Sequence, residues 1–205
     1  LQPGEGGGHP YFADASPKIF QDEDQKIVVF GLGRGGRAYY ALDVTNRVSP
    51  KLLWRINTTT SGYTELGYSH STPVVTRFGP AGGAPVAVVG GGYDFYFDAA
   101  DANTPNPSGY GRALYAIDLH TGERLGFAKV PGMDFAIPSD PLLFDVNGDG
   151  QFDRGYIGDL GGNLWRIRDD FQIDRLFVAP TGQRIFYPPD AVVNSGSVMV
   201  YFGTG

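Results

Sequence analysis

Short runs in which every second residue is apolar, most of them closed by glycine, recur along the whole chain. Gly36-Arg-Ala-Tyr-Tyr-Ala-Leu-Asp43 returns 75 residues later as Gly111-Arg-Ala-Leu-Tyr-Ala-Ile-Asp118, and a looser copy, Asn163-Leu-Trp-Arg-Ile167, follows at an offset of 50. Tyr40, Tyr115 and Trp165 share one position of the repeat, and Leu42, Ile117 and Ile167 share the next but one. Residues two apart lie on one face of a strand, not of a helix. Ahead of each copy stands another apolar run ending in glycine: Ile27 to Gly31, Val86 to Gly90, Tyr156 to Gly158. A fourth such run, Val198 to Gly203, comes just before the end of the chain. Pro-led runs precede these at Pro17 to Phe20, Pro73 to Val75 and Pro141 to Phe144, and Leu52 to Arg55 and Leu125 to Ala128 follow the first two copies.

Four short strands per unit, recurring about every 50 residues, are the signature of propeller blades. The pattern predicts an all-β chain with negligible helix: a partial β-propeller of about three and a half four-stranded antiparallel blades. The blades fall near 16–56, 71–130 and 139–180, with the start of another at 186–205, so that residues 1–205 form a fragment of one propeller domain. An insertion from Tyr93 to Tyr110, rich in Asp, Asn and Pro, lengthens the second unit. Closed propellers have roughly four to eight blades, so the rest of the ring is expected elsewhere in a longer parent polypeptide. The absence of a starting Met and the strand-like sequence running up to Gly205 point the same way.

Composition narrows the class further. A hydrophobic fraction of 41% with 14% aromatics fits a globular core. The 31 glycines and 15 prolines read as tight turns rather than low complexity. A net charge of -6, with Lys and Arg nowhere clustered along the sequence, argues against nucleic acid as a partner. There is no cysteine, which excludes disulfides and thiolate metal sites. No apolar run approaches the roughly 20 residues of a membrane helix, so no transmembrane segment is expected.

One stretch carries metal chemistry. In Asp145-Val-Asn-Gly-Asp-Gly-Gln-Phe-Asp153, oxygen side chains stand at alternate positions, Asp145, Asn147 and Asp149, with Asp153 at the ninth. Ca²⁺ is a hard cation that takes about six to eight oxygens, and a calcium loop supplies them from positions 1, 3, 5, 7 and 9, with glycine at 6 for the bend. Counting from Asp145 puts Gly150 at position 6, the carbonyl of Gln151 at 7 and Asp153 at 9. Position 12, where a helical loop of this type carries its bidentate Glu, is Tyr156. The loop is therefore shortened, to be completed by water or a carboxylate from elsewhere. The flanking apolar runs predict strands, placing it between the first two strands of the third blade. Magnesium suits the set less well, because it keeps its water and uses one or two carboxylates. The plainer alternative is an Asp/Asn/Gly turn that caps its own backbone.

Other constellations weigh less. Gly31-Leu-Gly-Arg-Gly-Gly36 matches a dinucleotide-binding G-x-G-x-x-G, but strand alternation rather than a helix follows, so a hairpin turn is expected. Asp22, Glu23 and Asp24 read as a solvated acidic turn, and Asp94, Asp98, Asp101 and Asn103 are too irregularly spaced to make a strong second cation site. His9, His70 and His120 are scattered, and Ser69-His70-Ser71 reads as a satisfied turn. Trp54 and Trp165 are expected to pack between blades.

The calcium loop, the following Ile157-Gly-Asp-Leu-Gly-Gly-Asn-Leu-Trp-Arg-Ile167, Gly31-Leu-Gly33 and Tyr40-Ala-Leu-Asp43 together resemble the C-terminal β-propeller of the PilY/PilC family of type IV pilus biogenesis factors and tip adhesins. The resemblance implies a Ca²⁺ cofactor held by Asp145, Asn147, Asp149, the Gln151 carbonyl and Asp153, with occupancy controlling pilus extension against retraction. It also implies no enzymatic activity, a place at the cell surface, pilus tip or outer membrane, and as partners minor pilins, the pilus tip and host or abiotic surfaces. A second resemblance competes. Ala116-Ile-Asp-Leu-His-Thr-Gly-Glu-Arg-Leu125 is similar to the blade motif of quinoprotein dehydrogenases, which carry Ca²⁺ beside their quinone in the central funnel rather than in an Asp/Asn loop. A structural calcium propeller of another secreted protein is the third reading.

Overall fold

The computed structural model describes residues 11–22, 24–98, 104–105, 107–194 and 197–205. Among them the chain forms three successive four-stranded antiparallel sheets and a closing hairpin. The first sheet holds β1 (Lys18–Gln21), β2 (Lys26–Gly31), β3 (Ala38–Asp43) and β4 (Lys51–Asn57). The second holds β5 (Val74–Phe78), β6 (Ala84–Gly90), β7 (Leu114–Asp118) and β8 (Arg124–Ala128). The third holds β9 (Leu142–Phe144), β10 (Arg154–Gly158), β11 (Asn163–Arg168) and β12 (Ile173–Val178), and the hairpin pairs β13 (Asp190–Asn194) with β14 (Ser197–Tyr201). Helical structure among the described residues is limited to short 3-10 turns at 33–35, 79–81 and 95–98. Each strand pairs with the next in sequence, and β1 and β9 both lie against β5, so the first strands of the sheets are gathered side by side as the innermost strands of blades are.

Register explains why the repeat looks as it does. Gly31 pairs with Tyr39, Gly90 with Leu114 and Gly158 with Leu164, which makes the second hairpin of each blade the same object three times. Tyr40, Tyr115 and Trp165 then occupy one site, on the face each blade turns toward its predecessor. Tyr115 packs with Ile27, Val29, Tyr39 and Ala41 of the first blade. Trp165 packs with Val86, Val88, Leu114 and Ala116 of the second. The opposite face of the third blade, with Tyr156 and Leu164, receives Val198, Val200 and Phe202 of the hairpin. Burial of each such side chain is worth about 1.5–3 kcal/mol, and alternation supplies two apolar faces per blade, one for each neighbour. Tyr40 is only half-buried and stacks on Phe30 at 5.6 Å, since its face meets no other sheet among the described residues.

Polar ties lock neighbouring blades in place. The Trp54 indole donates to the Leu119 carbonyl at 2.9 Å, and the Tyr63 hydroxyl donates to the Gly122 carbonyl at 3.1 Å. Both join the first blade and its exit loop to the second, and Trp54 packs between blades as its sequence position predicts. The glycine-rich stretch after β2 is a hairpin connection containing a 3-10 turn, not a phosphate-binding helix start. Its Leu32 amide donates to Ser69 Oγ at 2.8 Å, and Ser69 Oγ donates in turn to the Ala38 carbonyl at 2.8 Å. The turn is thereby fastened to the linker that leads into the second blade.

Candidate functional site

Residues 145–153 connect β9 to β10 at one end of the third blade. Asp145 Oδ1 and Oδ2 accept the amides of Gly148 at 2.6 Å and Gly150 at 2.7 Å, so its carboxylate is wrapped by the loop backbone. Asn147 Oδ1 accepts the Asp149 amide and Asp149 Oδ1 the Gln151 amide, each at 2.8 Å. Asp153 Oδ2 reaches back across the loop to the amides of Val146 at 2.6 Å and Asn147 at 3.1 Å. Such side-chain to backbone bonds are what Asp and Asn offer in place of helix or ladder. Gly148 and Gly150, with φ of 81° and 83°, supply the left-handed bends that let the backbone turn inside so short a span. The Gly150 amide, foremost among these donors, holds the Asp145 carboxyl below the ordinary carboxylate range.

The exit of the loop is anchored where its middle is exposed. Phe152 is buried at 3% exposure, stacked on Phe78 of the second blade, and Gln151 makes a parallel bridge with Arg77. Tyr156, the twelfth position, lies at 3% exposure and stacks on Phe144 at 6.1 Å. It contributes core rather than a ligand, so the oxygen-bearing part of the loop ends at Asp153.

The donor set fits a hard dication. Asp145, Asn147, Asp149 and Asp153 offer only oxygen and amide groups, together with the Gln151 carbonyl, and three of them are carboxylates. Asn147 Nδ2 already draws two of the carboxylates toward one point, donating to Asp149 Oδ2 at 3.3 Å and to Asp153 Oδ1 at 3.0 Å. An NH₂ group with partial positive charge thus stands between the oxygens a cation would attract. In this arrangement no three acidic or imidazole groups converge as a metal cluster among the described residues.

The lesser candidates are occupied otherwise. Asp22 Oδ1 accepts the amides of Asp24 and Gln25, an acidic turn that caps itself. Asp94 is buried and accepts the Tyr96 amide and the Ser108 hydroxyl, while Asp98 accepts the Tyr93 hydroxyl. Glu23, Asp101, Asn103 and His9 lie outside the described residues. His120 is exposed. In Ser69-His70-Ser71 the reading as a satisfied turn holds for the serines, since Ser71 Oγ accepts the Gly90 amide at 2.9 Å. It fails for His70, whose Nε2 is buried without a partner and whose basicity is lowered by burial.

Asp159 escapes the sequence reading altogether. Fully buried after β10, it accepts the Gly161 and Asn163 amides, the Asn163 side chain and, at 2.8 Å, the Trp165 indole. The signal was present in Gly158-Asp-Leu-Gly-Gly-Asn-Leu-Trp165, where an acid precedes a glycine pair and an indole follows it. It organises the blade turn rather than a ligand.

Residues 3–176 match the family described as PilY1 beta-propeller domain. The chain is 38% identical over 170 residues to the type IV pilus biogenesis factor PilY1 of Pseudomonas aeruginosa, across 80% of this chain and 13% of that protein. It is 30% identical over 180 residues to a PilY1 homolog of Xylella fastidiosa, across 78% of this chain and 11% of that protein. The crystal structure of the Pseudomonas aeruginosa PilY1 C-terminal domain superposes with a TM-score of 0.75 at 28% identity, covering 94% of this chain and 44% of that one. The chain thus spans a small part of the curated relatives it matches and less than half of the crystallised domain. Successive four-stranded blades, with an Asp/Asn/Gly loop inserted between the first two strands of the third, and sequence similarity over most of the length together make this chain a member of the PilY1 β-propeller domain family of type IV pilus biogenesis factors.

Proposed function

We propose that this chain is the calcium-responsive part of a type IV pilus biogenesis factor, in which Ca²⁺ held by Asp145, Asn147, Asp149, the Gln151 carbonyl and Asp153 regulates pilus extension against retraction and attachment to surfaces. The observation that carries the reading is the loop itself, whose oxygens stand at calcium spacing while its exit is anchored to the second blade. Calcium, when bound, supplies two positive charges to three carboxylates and draws oxygens inward from the backbone amides. The residues do the rest. Phe152 and Gln151 hold the loop's exit against the second blade, so a change at Asp145 to Asp149 alters an exposed surface without disturbing the core. At a free calcium concentration about a hundredfold above the dissociation constant, the bound state gains about 2.7 kcal/mol. That shifts a local two-state equilibrium roughly a hundredfold, enough to act as a switch. The partners of such a surface are minor pilins or the pilus tip, and the place of action is the cell surface, pilus tip or outer membrane. The role is one of binding and regulation rather than enzymatic.

The test compares pilus assembly in the parent protein carrying Asp149→Ala or Asp153→Lys, with and without chelator. Asp149→Ala keeps the β-sheet signal, loses calcium binding and reproduces the calcium-free phenotype. Asp153→Lys places an ammonium beside the loop and leans toward the calcium-bound phenotype. Wild-type behaviour of Asp149→Ala in calcium overturns the switch.

A further inference from the structure

Beside the loop, with Asp153 common to both, lies a cleft of about 360 Å³ lined by Asp153, Arg154, Arg166, Arg168 and Asp169. Arg154 is 12 and 14 residues from Arg166 and Arg168 in sequence and meets them because β10 and β11 are antiparallel. Arg154 pairs with Arg168, and Arg166 stands two residues along the same strand as Arg168, so all three project from one face. Two of them are braced. Asp174 Oδ2 takes Arg166 Nη2 at 2.8 Å and both Arg168 Nε and Nη2, at 2.8 and 2.6 Å, which fixes the guanidinium planes. Their hydrogen bonds, that of Arg166 foremost, hold the Asp174 carboxyl below its ordinary range.

What remains is donor capacity without an acceptor. Arg166 Nε is buried and makes no hydrogen bond, and a buried donor left unmatched is costly. Arg154 is exposed and makes no side-chain hydrogen bond among the described residues. Guanidinium groups present planar forks that match carboxylate, sulfate and phosphate oxygens. The cleft is also far roomier than the roughly 30 Å³ a water takes in the liquid, so its occupant can be an oxyanion carried on a larger group.

Charge decides when the cleft accepts one. The three guanidinium groups face three carboxylates, Asp153, Asp169 and Asp174, a neutral balance. Asp153 belongs to the calcium loop as well as to the cleft wall. With Asp145 and Asp149 of the loop counted as well, the neighbourhood stands at -2, and a dication held there brings it to neutral, which removes the net repulsion an anion would meet. We propose that Arg154, Arg166 and Arg168 form an oxyanion-binding site for a carboxylate or sulfate-type group, and that a cation in the adjoining loop tightens it. The tightening, though not the site, rests on the calcium reading above. Because coupling is reciprocal, an anion in the cleft equally strengthens cation binding next door.

Calorimetric titration of the full chain at constant ionic strength tests this, with sodium sulfate and with acetyl-triglutamate amide as probes, in calcium and in excess chelator. Binding of either probe is expected, about fivefold or more tighter in calcium, and weakened at least tenfold by Arg154→Ala and by Arg166→Lys, which keeps the charge and removes Nε. Sulfate binding alone assigns the cleft to a free oxyanion, and peptide binding alone to a carboxylate on a chain. Asp149→Ala leaves the site intact and should show the chelator affinity even in calcium. Binding that is unaffected by calcium upholds the cleft and refutes the coupling. Absence of binding by both probes in calcium, or undiminished binding in both arginine variants, overturns the site.

Discussion

Phe152 and Phe78 lie with ring planes 2° apart and centroids 6.1 Å apart, and this stack fastens the Asp145–Asp153 loop of the third blade to the last residue of β5 in the second. Phe171 closes the cluster edge-on to Phe78 at 5.5 Å. A loop whose middle is exposed is thereby given a fixed exit, with Asp153 one residue beyond the anchor.

Phe152→Ala should therefore act on both stability and the loop. Truncation of a buried aromatic costs about 3–5 kcal/mol, read as a lower urea midpoint. Calcium affinity should fall with it, whereas Phe152→Leu should recover most of the stability. An unchanged midpoint for Phe152→Ala would show that the stack contributes nothing.

Gly150→Ala isolates the backbone contribution. A Cβ at Gly150 meets nothing within 4 Å, so the only penalty is its left-handed φ of 83°. That conformation costs a non-glycine residue roughly 1–2 kcal/mol. Since the Gly150 amide bonds Asp145, the loop should loosen and calcium affinity drop about tenfold, which calorimetry reads, while global stability changes little. A calcium affinity equal to wild type would count against the loop conformation described here.

Calcium itself should raise the melting temperature. At a hundredfold excess over the dissociation constant the gain of about 2.7 kcal/mol corresponds to roughly 5–10 °C for a domain of this size. The dissociation constant should be on the order of micromolar. A scan in calcium that overlays the scan in chelator would refute the site.

The buried Asp159 carries a pH signature. Burial pushes its carboxyl above the ordinary range, against the opposing pull of the Trp165 indole and the neighbouring amides. The folded state then holds the proton more tightly than the unfolded chain, so this group's contribution to stability is present below the unfolded carboxylate pKa and is lost as pH rises through the raised folded value. Asp159→Asn should remove that component, so the stability advantage of wild type over the variant shrinks with rising pH in that window. Asp159→Ala, which strands the indole and amide donors, should cost about 3–5 kcal/mol at any pH. Parallel pH profiles for wild type and Asp159→Asn would show that the carboxyl titrates normally.

Strands and blades could be read from the chain because alternation is local. Tyr115, Ile117, Trp165 and Ile167 declare a two-residue period wherever they sit, and the glycines after each apolar run mark hairpins. The oxygen spacing of Asp145, Asn147, Asp149 and Asp153 is local in the same sense. Yet alternation defines two faces without naming what each meets. Only packing shows that Tyr40, equivalent to Trp165 by register, remains half-buried, while Tyr39 one residue away is fully buried and donates to the Ser71 carbonyl at 2.8 Å.

The amino-acid sequence by itself determined the fold class, the blade repeat, the hairpin nature of the glycine-rich turn and the loop with calcium spacing, since alternation, turn glycines and oxygen spacing are local patterns and the repeat is their recurrence along the chain. Tertiary structure decided that Phe152 anchors that loop, that Tyr156 is core and not a ligand, that Asp159 takes the Trp165 indole, and that Arg154, Arg166 and Arg168 line one cleft. These relationships arise from antiparallel register and from contact between blades, which bring together side chains that no spacing rule along the chain connects.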